Sequence, residues 1–373
     1  MIMKHSLLIT GLCLIVVSGI TGCTKKDPTI LHTIVAYEEG RFISHPANRG
    51  LLYSWENEMA VLFGIGYHDY TTVDRHSRDR SRPTVNSQAR SLDGGLTWEL
   101  EEVNETPHEG GPVDFSHPDF ALRFPYGGGD FFYSYDRAKT WIGPVPSNVD
   151  IEGRGIQTRT DYIVQGSDEL LAFFTTDRFD GREGRVAAVR TVDGGQTWEH
   201  LSWVSPEPKE GFAIMPNSVA FSSTEILTSY RRFIQRETHR WGGVRGYFSA
   251  DGGKTWEKRE DIQPLLSLRQ CSPATLTLLD DGRVVAVYAV RELAPTPSRI
   301  AARISDDKGL SWSEEVTLRQ DAANWDIGYN VSALRPDGKI VTAYYYNLFK
   351  DPDQTPYRFI AATIFDPDEV FQD

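Results

Sequence analysis

Arginine, aspartate, histidine and tyrosine recur side by side along this chain, in combinations that can bind an anion and move a proton. Tyr67-His68-Asp69 leads into residues 74–82, nine positions that hold four arginines. Asn48-Arg49, Ser116-His117-Pro118-Asp119, Arg159-Thr160-Asp161, Thr176-Asp177-Arg178 and Arg231-Arg232 repeat the theme. So do Arg269-Gln270, Arg291-Glu292, Trp325-Asp326-Ile327-Gly328-Tyr329 and Tyr345-Tyr346-Asn347. Converging guanidinium groups suit two-point recognition of a carboxylate or a sulfate. A carboxylic acid or imidazole beside that anion can give and take a proton. Three kinds of function use such a set: cleavage of an anionic sugar by water, elimination beside an arginine-neutralised uronate carboxylate, and binding without chemistry. For elimination, His68, His117 and Tyr329 are the candidate proton acceptors.

These residues can converge only if a repeated scaffold carries them, and the repeat is legible. Ser91-Leu92-Asp93-Gly94-Gly95-Leu96-Thr97-Trp98 returns as residues 191–198, 249–256 and 305–312. A worn copy at 134–141 has Ala138 at the second glycine. The tryptophans fall at 98, 141, 198, 256 and 312, so three of the four gaps are 56 to 58 residues. A period near 50 residues signals a propeller-like array. In the phrase, Asp accepts backbone N–H groups across a turn, Gly supplies a positive φ, and Trp packs between sheets.

Strand pairs with Asp-Gly turns, such as 272–289 around Asp281-Gly282 and 330–346 around Asp337-Gly338, lie between the repeats and read as hairpins. The layout predicts an all-β, six-bladed β-propeller, with a compressed second blade from Phe115 to Trp141. A last blade without a repeat would be closed by an N-terminal strand from Thr29 to Ala36. Inner hairpin turns and repeats occupy one face; the starts of the first strands and ends of the second occupy the other. The predicted site is on that second face. Tyr329, Asp69, His68 and Asp326 are its candidate catalytic groups. Arg49, Arg231, Arg291, Arg178, Asp177, His117 and Tyr346 are its candidate substrate contacts.

The repeated phrase is the Asp-box, and over nearly the whole chain the sequence resembles the sialidase superfamily. Gly328 to Gly338 looks like the segment in which sialidases carry a nucleophilic tyrosine, which implies that role for Tyr329. The loop after the second strand of blade one is similar to the one holding the sialidase acid/base, which implies Asp69. By blade position, Arg49, Arg231 and Arg291 would form the arginine triad. Tyrosine nucleophiles are the sialidase exception to the two-carboxylate rule. The Phe/Tyr-Arg-Ile-Pro opening of sialidases is absent, with His45-Pro46-Ala47-Asn48-Arg49 in its place, and no glutamate is placed to activate Tyr329. The resemblance implies a sialidase-like glycoside hydrolase acting on an acidic or sulfated glycan. A uronate lyase or a glycan-binding propeller are the alternatives.

Length and charge bound the rest. Lys4 and His5 precede an apolar run from Leu7 to Val17, too short to span a bilayer, and small residues then precede Cys23. This resembles a bacterial lipoprotein signal. It predicts a removed segment 1–22, lipidation of Cys23, a tether over 23–28 and one propeller domain over 29–373 in the cell envelope. Loss of 1–22 removes one lysine and no acid, moving the formal net charge from −13 to −14. Such a field disfavours nucleic acid as a partner. Cys271 is then the one thiol besides Cys23, and no Cys/His spacing suggests zinc. No cofactor is implied.

Overall fold

The computed structural model describes residues 29–69, 71, 76–349 and 356–372; the predicted lipidation site Cys23 lies outside them. The strands form six antiparallel-rich sheets, arranged as the blades of a propeller. Blade one is built outward from Arg41–Ser44 and Leu52–Trp55, both paired with Glu58–Tyr67, followed by Val85–Ser91 and Glu99–Glu101. Blades three, four and five repeat this order over 162–203, 212–267 and 270–319. Blade six has Gly328–Leu334, Ile340–Leu348 and Tyr357–Phe365, and its outermost strand is Leu31–Ala36 from the other end of the chain. That strand closes the ring as predicted and covers what would be an open sheet edge.

Each Asp-box is a turn cross-braced by its aspartate. Asp251 accepts from the backbone N–H of Lys254 at 3.1 Å and of Thr255 at 2.9 Å, and from the Thr255 hydroxyl at 2.7 Å. Asp93 repeats the pattern with Leu96 and Thr97. The tryptophans then anchor on the turn itself: Trp98 and Trp256 donate to the carbonyls of Gly95 and Gly253. Between blades, polar side chains near the axis reach the next repeat. Ser218 donates to Asp161, Tyr329 N–H to Ser272, and Ser332 N–H to Thr275, each pair 57 positions apart.

Blade two differs from the prediction in direction. Its 43-residue tryptophan spacing leaves too little chain for a full blade. The innermost strand Ala121–Arg123 starts near the Asp-box, where Arg137 N–H meets the Asp119 carbonyl at 3.1 Å. It then runs toward the opposite face. The outermost strand Asn104–Thr106 joins in parallel to Thr140–Val145.

Candidate active site

Three inner strands break near the axis, and the breaks aim side chains into the funnel. His45 (φ 60°), Met215 (φ 57°) and Tyr329 (φ 55°) adopt left-handed backbone, a conformation that costs on the order of 1–3 kcal/mol for such residues. In blades four and six the pairing register slips there, between Ile214 and Pro216 and between Gly328 and Val331. Gly328 precedes the tyrosine at φ 108°, and a Cβ on it would come within 2.5 Å of the Ala289 Cβ. Only glycine fits that close approach of blades five and six.

Tyr329 lies at the bottom of a cavity of about 230 Å³. Arg49, Arg78, Arg80 and Arg159 line it together with His45, His76, Asn48 and Tyr126. No aspartate or glutamate does so among the described residues. Arg49 is held below the usual guanidinium range by burial and then by the like charges of Arg78 and Arg123; Arg78 shifts the same way through burial and Arg80. Positive charge is therefore crowded here, and an anion would relieve that repulsion. Among the described residues, Arg159 alone of the four has a carboxylate partner, Glu183 at 2.7 Å, and it also donates to Asn48.

Below the cavity a buried network orients the floor. The Tyr329 oxygen accepts from Arg231 at 3.2 Å. Asp326, 2% exposed, accepts from His76 Nδ1 at 2.6 Å and from the Tyr345 hydroxyl at 2.6 Å, and pairs with Arg358 at 3.0 Å. Burial alone would raise the Asp326 pKa, but Arg358 and then His76 hold it well below the usual carboxylate range. An ionised Asp326 fixes the proton on His76 Nδ1, so Nε2, on the far edge of the ring, serves the cavity. His45 packs edge-on against His76 and Tyr329 at 4.8 and 4.9 Å. Burial and then His76 keep its pKa well below 6.5, and it is neutral.

The predicted site residues divide into two groups. Tyr329, Arg49, Arg231 and Asp326 come together in or under the cavity. Arg291 lies beneath it, 0% exposed, with its donors spent on the Ile327 carbonyl, Gln270 and Tyr345. His68 lies behind the network against Phe42 at 5.4 Å, its pKa lowered to about 4 by burial and then by Arg358. The remaining five do not line the cavity. Asp69 turns back to accept from the Thr71 N–H and hydroxyl. Arg178 pairs with Asp180 and caps the Gly211 carbonyl in an outer loop of blade three; the adjoining Asp177 takes the Gly155 carbonyl on its N–H.

His117 packs against Tyr135 with ring centres 4.7 Å apart beside the blade-two Asp-box, on the opposite face, because the innermost strand runs in reverse. Tyr346 points into the seam between blades five and six and donates to Asp321. Its neighbour Tyr345 is the one that faces the site, as the two-residue period of a strand requires. His45, His76, Arg78, Arg80, Arg159, Tyr345 and Arg358 were not among the candidate site residues chosen from the sequence, although Tyr345 was named beside Tyr346. His76 and the arginines at 78, 80 and 159 stood in the charged stretches noted there. Arg358, inside a C-terminal strand, gave no local signal.

The BNR/Asp-box repeat family matches residues 247–258, the hairpin with the third intact phrase. A search against curated protein sequences returns no match. Among solved structures, a protein of unknown function from Dyadobacter fermentans is similar with a TM-score of 0.66 at 19% identity, over 90% of this chain and 99% of that one. An α-L-arabinanase of Penicillium chrysogenum, complexed with arabinobiose, reaches 0.51 at 15% identity over 92% of this chain and 100% of that one. A GH93 α-L-arabinofuranosidase of Fusarium graminearum, also with arabinobiose, reaches 0.46 at 14% over 89% and 98%. At such identities the likeness is one of fold, and the chain is a six-bladed β-propeller with Asp-box turns.

Proposed function

We propose that this propeller is a glycoside hydrolase that removes an acidic or sulfated sugar from a glycan. The observation that carries the reading is the cavity of four guanidinium groups closing on Tyr329 and the His76–Asp326 pair. The fold likeness to an α-L-arabinanase, a glycosidase, supports the same class. In the proposed reaction the arginines hold the carboxylate or sulfate. Tyr329 oxygen attacks the anomeric carbon while the glycosidic bond breaks, and its phenolic proton passes through His76 Nε2 to the departing oxygen. Water then displaces Tyr329 from the anomeric carbon, its proton passes through His76 Nε2 back to the phenol oxygen, and the sugar leaves. The His76–Asp326 pair replaces Asp69 in the acid/base role, because Asp69 is turned into its own loop. Asp326 holds the imidazole in one tautomer, as a buried carboxylate does for a catalytic histidine.

One observation favours elimination as a second reading: no carboxylate lines the cavity among the described residues. His76 or Tyr329 would then remove the proton beside an arginine-held uronate carboxylate, and the bond to the leaving sugar oxygen would break. Mass spectrometry of products from sialylated, uronate-containing and sulfated glycans separates the two. A product with one added water establishes hydrolysis; an unsaturated product without it establishes elimination. No product from any of these glycans would overturn both. The Cys23 signal proposes an envelope enzyme anchored by lipid. Palmitate labelling that persists in Cys23→Ala would refute the anchor.

A further inference from the structure

A second concavity lies beside the first, of about 460 Å³, between the loops of blades five and six. Leu293, Pro295, Pro297 and Trp325 supply its apolar wall, while Arg269 and Glu292 supply its charged groups. Trp325 lines the trough and approaches His76, which lines the central cavity. Its indole lies 6.0 Å from the His76 ring, and the next residue is Asp326, which orients that histidine. A group seated on Trp325 is therefore next to the position where the departing oxygen takes its proton.

The two hollows differ in charge. Among the described residues, the central cavity presents four arginines and no carboxylate. The trough presents one arginine and one glutamate, and Glu292 is paired with Arg299 at 2.8 Å. The Arg269 guanidinium stands 5.5 Å from the indole centroid, a distance at which a cation is drawn to the ring face and steadies it. An aromatic plane beside apolar prolines, with hydroxyl and amide side chains also in the lining, suits the C–H face and the hydroxyls of a sugar ring. With one arginine and one glutamate in its lining, the trough lacks the excess of guanidinium groups that marks the central cavity.

We infer that the trough is a subsite for an uncharged sugar, the residue to which the anionic sugar is linked. The substrate class is then a heteromeric glycan, anionic at the unit held over Tyr329 and neutral at the unit held on Trp325. This inference rests on the proposed function for the identity of the first unit, though the trough can be tested separately.

The experiment is binding of full-length wild-type protein, Trp325→Ala and Leu293→Asp to an oligosaccharide array with three sets of members. These are anionic sugars linked to neutral ones, purely anionic chains and purely neutral chains. Leu293 is 46% exposed on the trough wall, so its substitution tests the trough without burdening the core. Wild-type protein is expected to retain the mixed glycans, and both variants to bind them about tenfold more weakly, the loss expected for one aromatic contact. Leu293→Asp is expected to keep wild-type affinity for the free anionic monosaccharide. Neutral chains bound by wild-type protein and lost in both variants would uphold the trough even if no anionic glycan bound, a result that would sink the proposed function alone. Equal binding of mixed glycans by all three proteins would overturn the subsite. So would retention of purely anionic chains only, or no binding of any member.

Discussion

Asp326 Oδ1 and His76 Nδ1 meet at 2.6 Å across 250 positions of sequence, and Arg358 closes the same carboxylate from its other side at 3.0 Å. The triad joins the blade-one loop to the entry of the innermost strand of blade six and to its third strand. It gives the imidazole one orientation and one tautomer at the cavity floor.

Asp326→Asn should lower kcat by roughly 100-fold or more, the range for loss of a proton-transfer group, and should cost about 3–5 kcal/mol because Arg358 is left buried without its charge partner. Kinetics on the glycan identified by product analysis and urea unfolding read the two effects. The carboxyl is depressed in the folded protein, so its stability contribution is present above the unfolded pKa near 3.9. It is lost as pH falls from there through the folded value. The variant should lack that acid limb.

Tyr329→Phe should fold as the parent does and lose activity on the order of 10³-fold or more, as removal of a nucleophile does. Asp69→Asn should stay within about threefold of the parent, since its carboxylate accepts from Thr71 within its own loop rather than lining the cavity. If the kinetics of the two variants were reversed, the acid/base role would return to Asp69.

His68 has its pKa lowered to about 4 by burial and then by Arg358. The unfolded chain takes up a proton near pH 6.5 that the folded protein resists, so stability should fall as pH drops from 6.5 toward 4. His45 adds to the same trend. His68→Gln should flatten part of this slope, measured as unfolding free energy against pH, and leave the His45 part.

Arg78→Ala should raise KM for an anionic substrate about tenfold and weaken the dependence of kcat/KM on salt, because a partly buried cation would be gone from the cavity. Rates on an uncharged aryl glycoside should not respond in this way.

Asp251→Ala removes the acceptor of two backbone N–H groups and one hydroxyl in the third Asp-box. It should cost about 1–3 kcal/mol in chemical unfolding and leave KM unchanged, because the turn is on the face away from the cavity.

Much of the architecture was legible because it is local and repeated. The Asp-box places its turn, its glycine and its tryptophan within eight residues, and the period between copies predicts the blades. The closing strand Leu31–Ala36 followed from a last blade short of one partner. Tyr329 and Gly328 were legible by the same means, since the tyrosine opens an inner hairpin whose position the period sets.

Side-chain direction and contacts between distant segments were decided only in three dimensions. Tyr345 rather than Tyr346 faces the site because strand register sets direction with a period of two, and one residue of phase reverses it. His117 left the predicted face because a shortened blade reversed its innermost strand. Arg358 joined Asp326 through strand pairing that no local pattern announces. Arg291, one of several similar arginines in sequence, was withdrawn from the cavity by carbonyl, amide and phenol partners beneath it. Composition and spacing determined the scaffold and the kinds of group at its funnel; which groups meet, and which are already spent on their neighbours, was decided by packing among the blades.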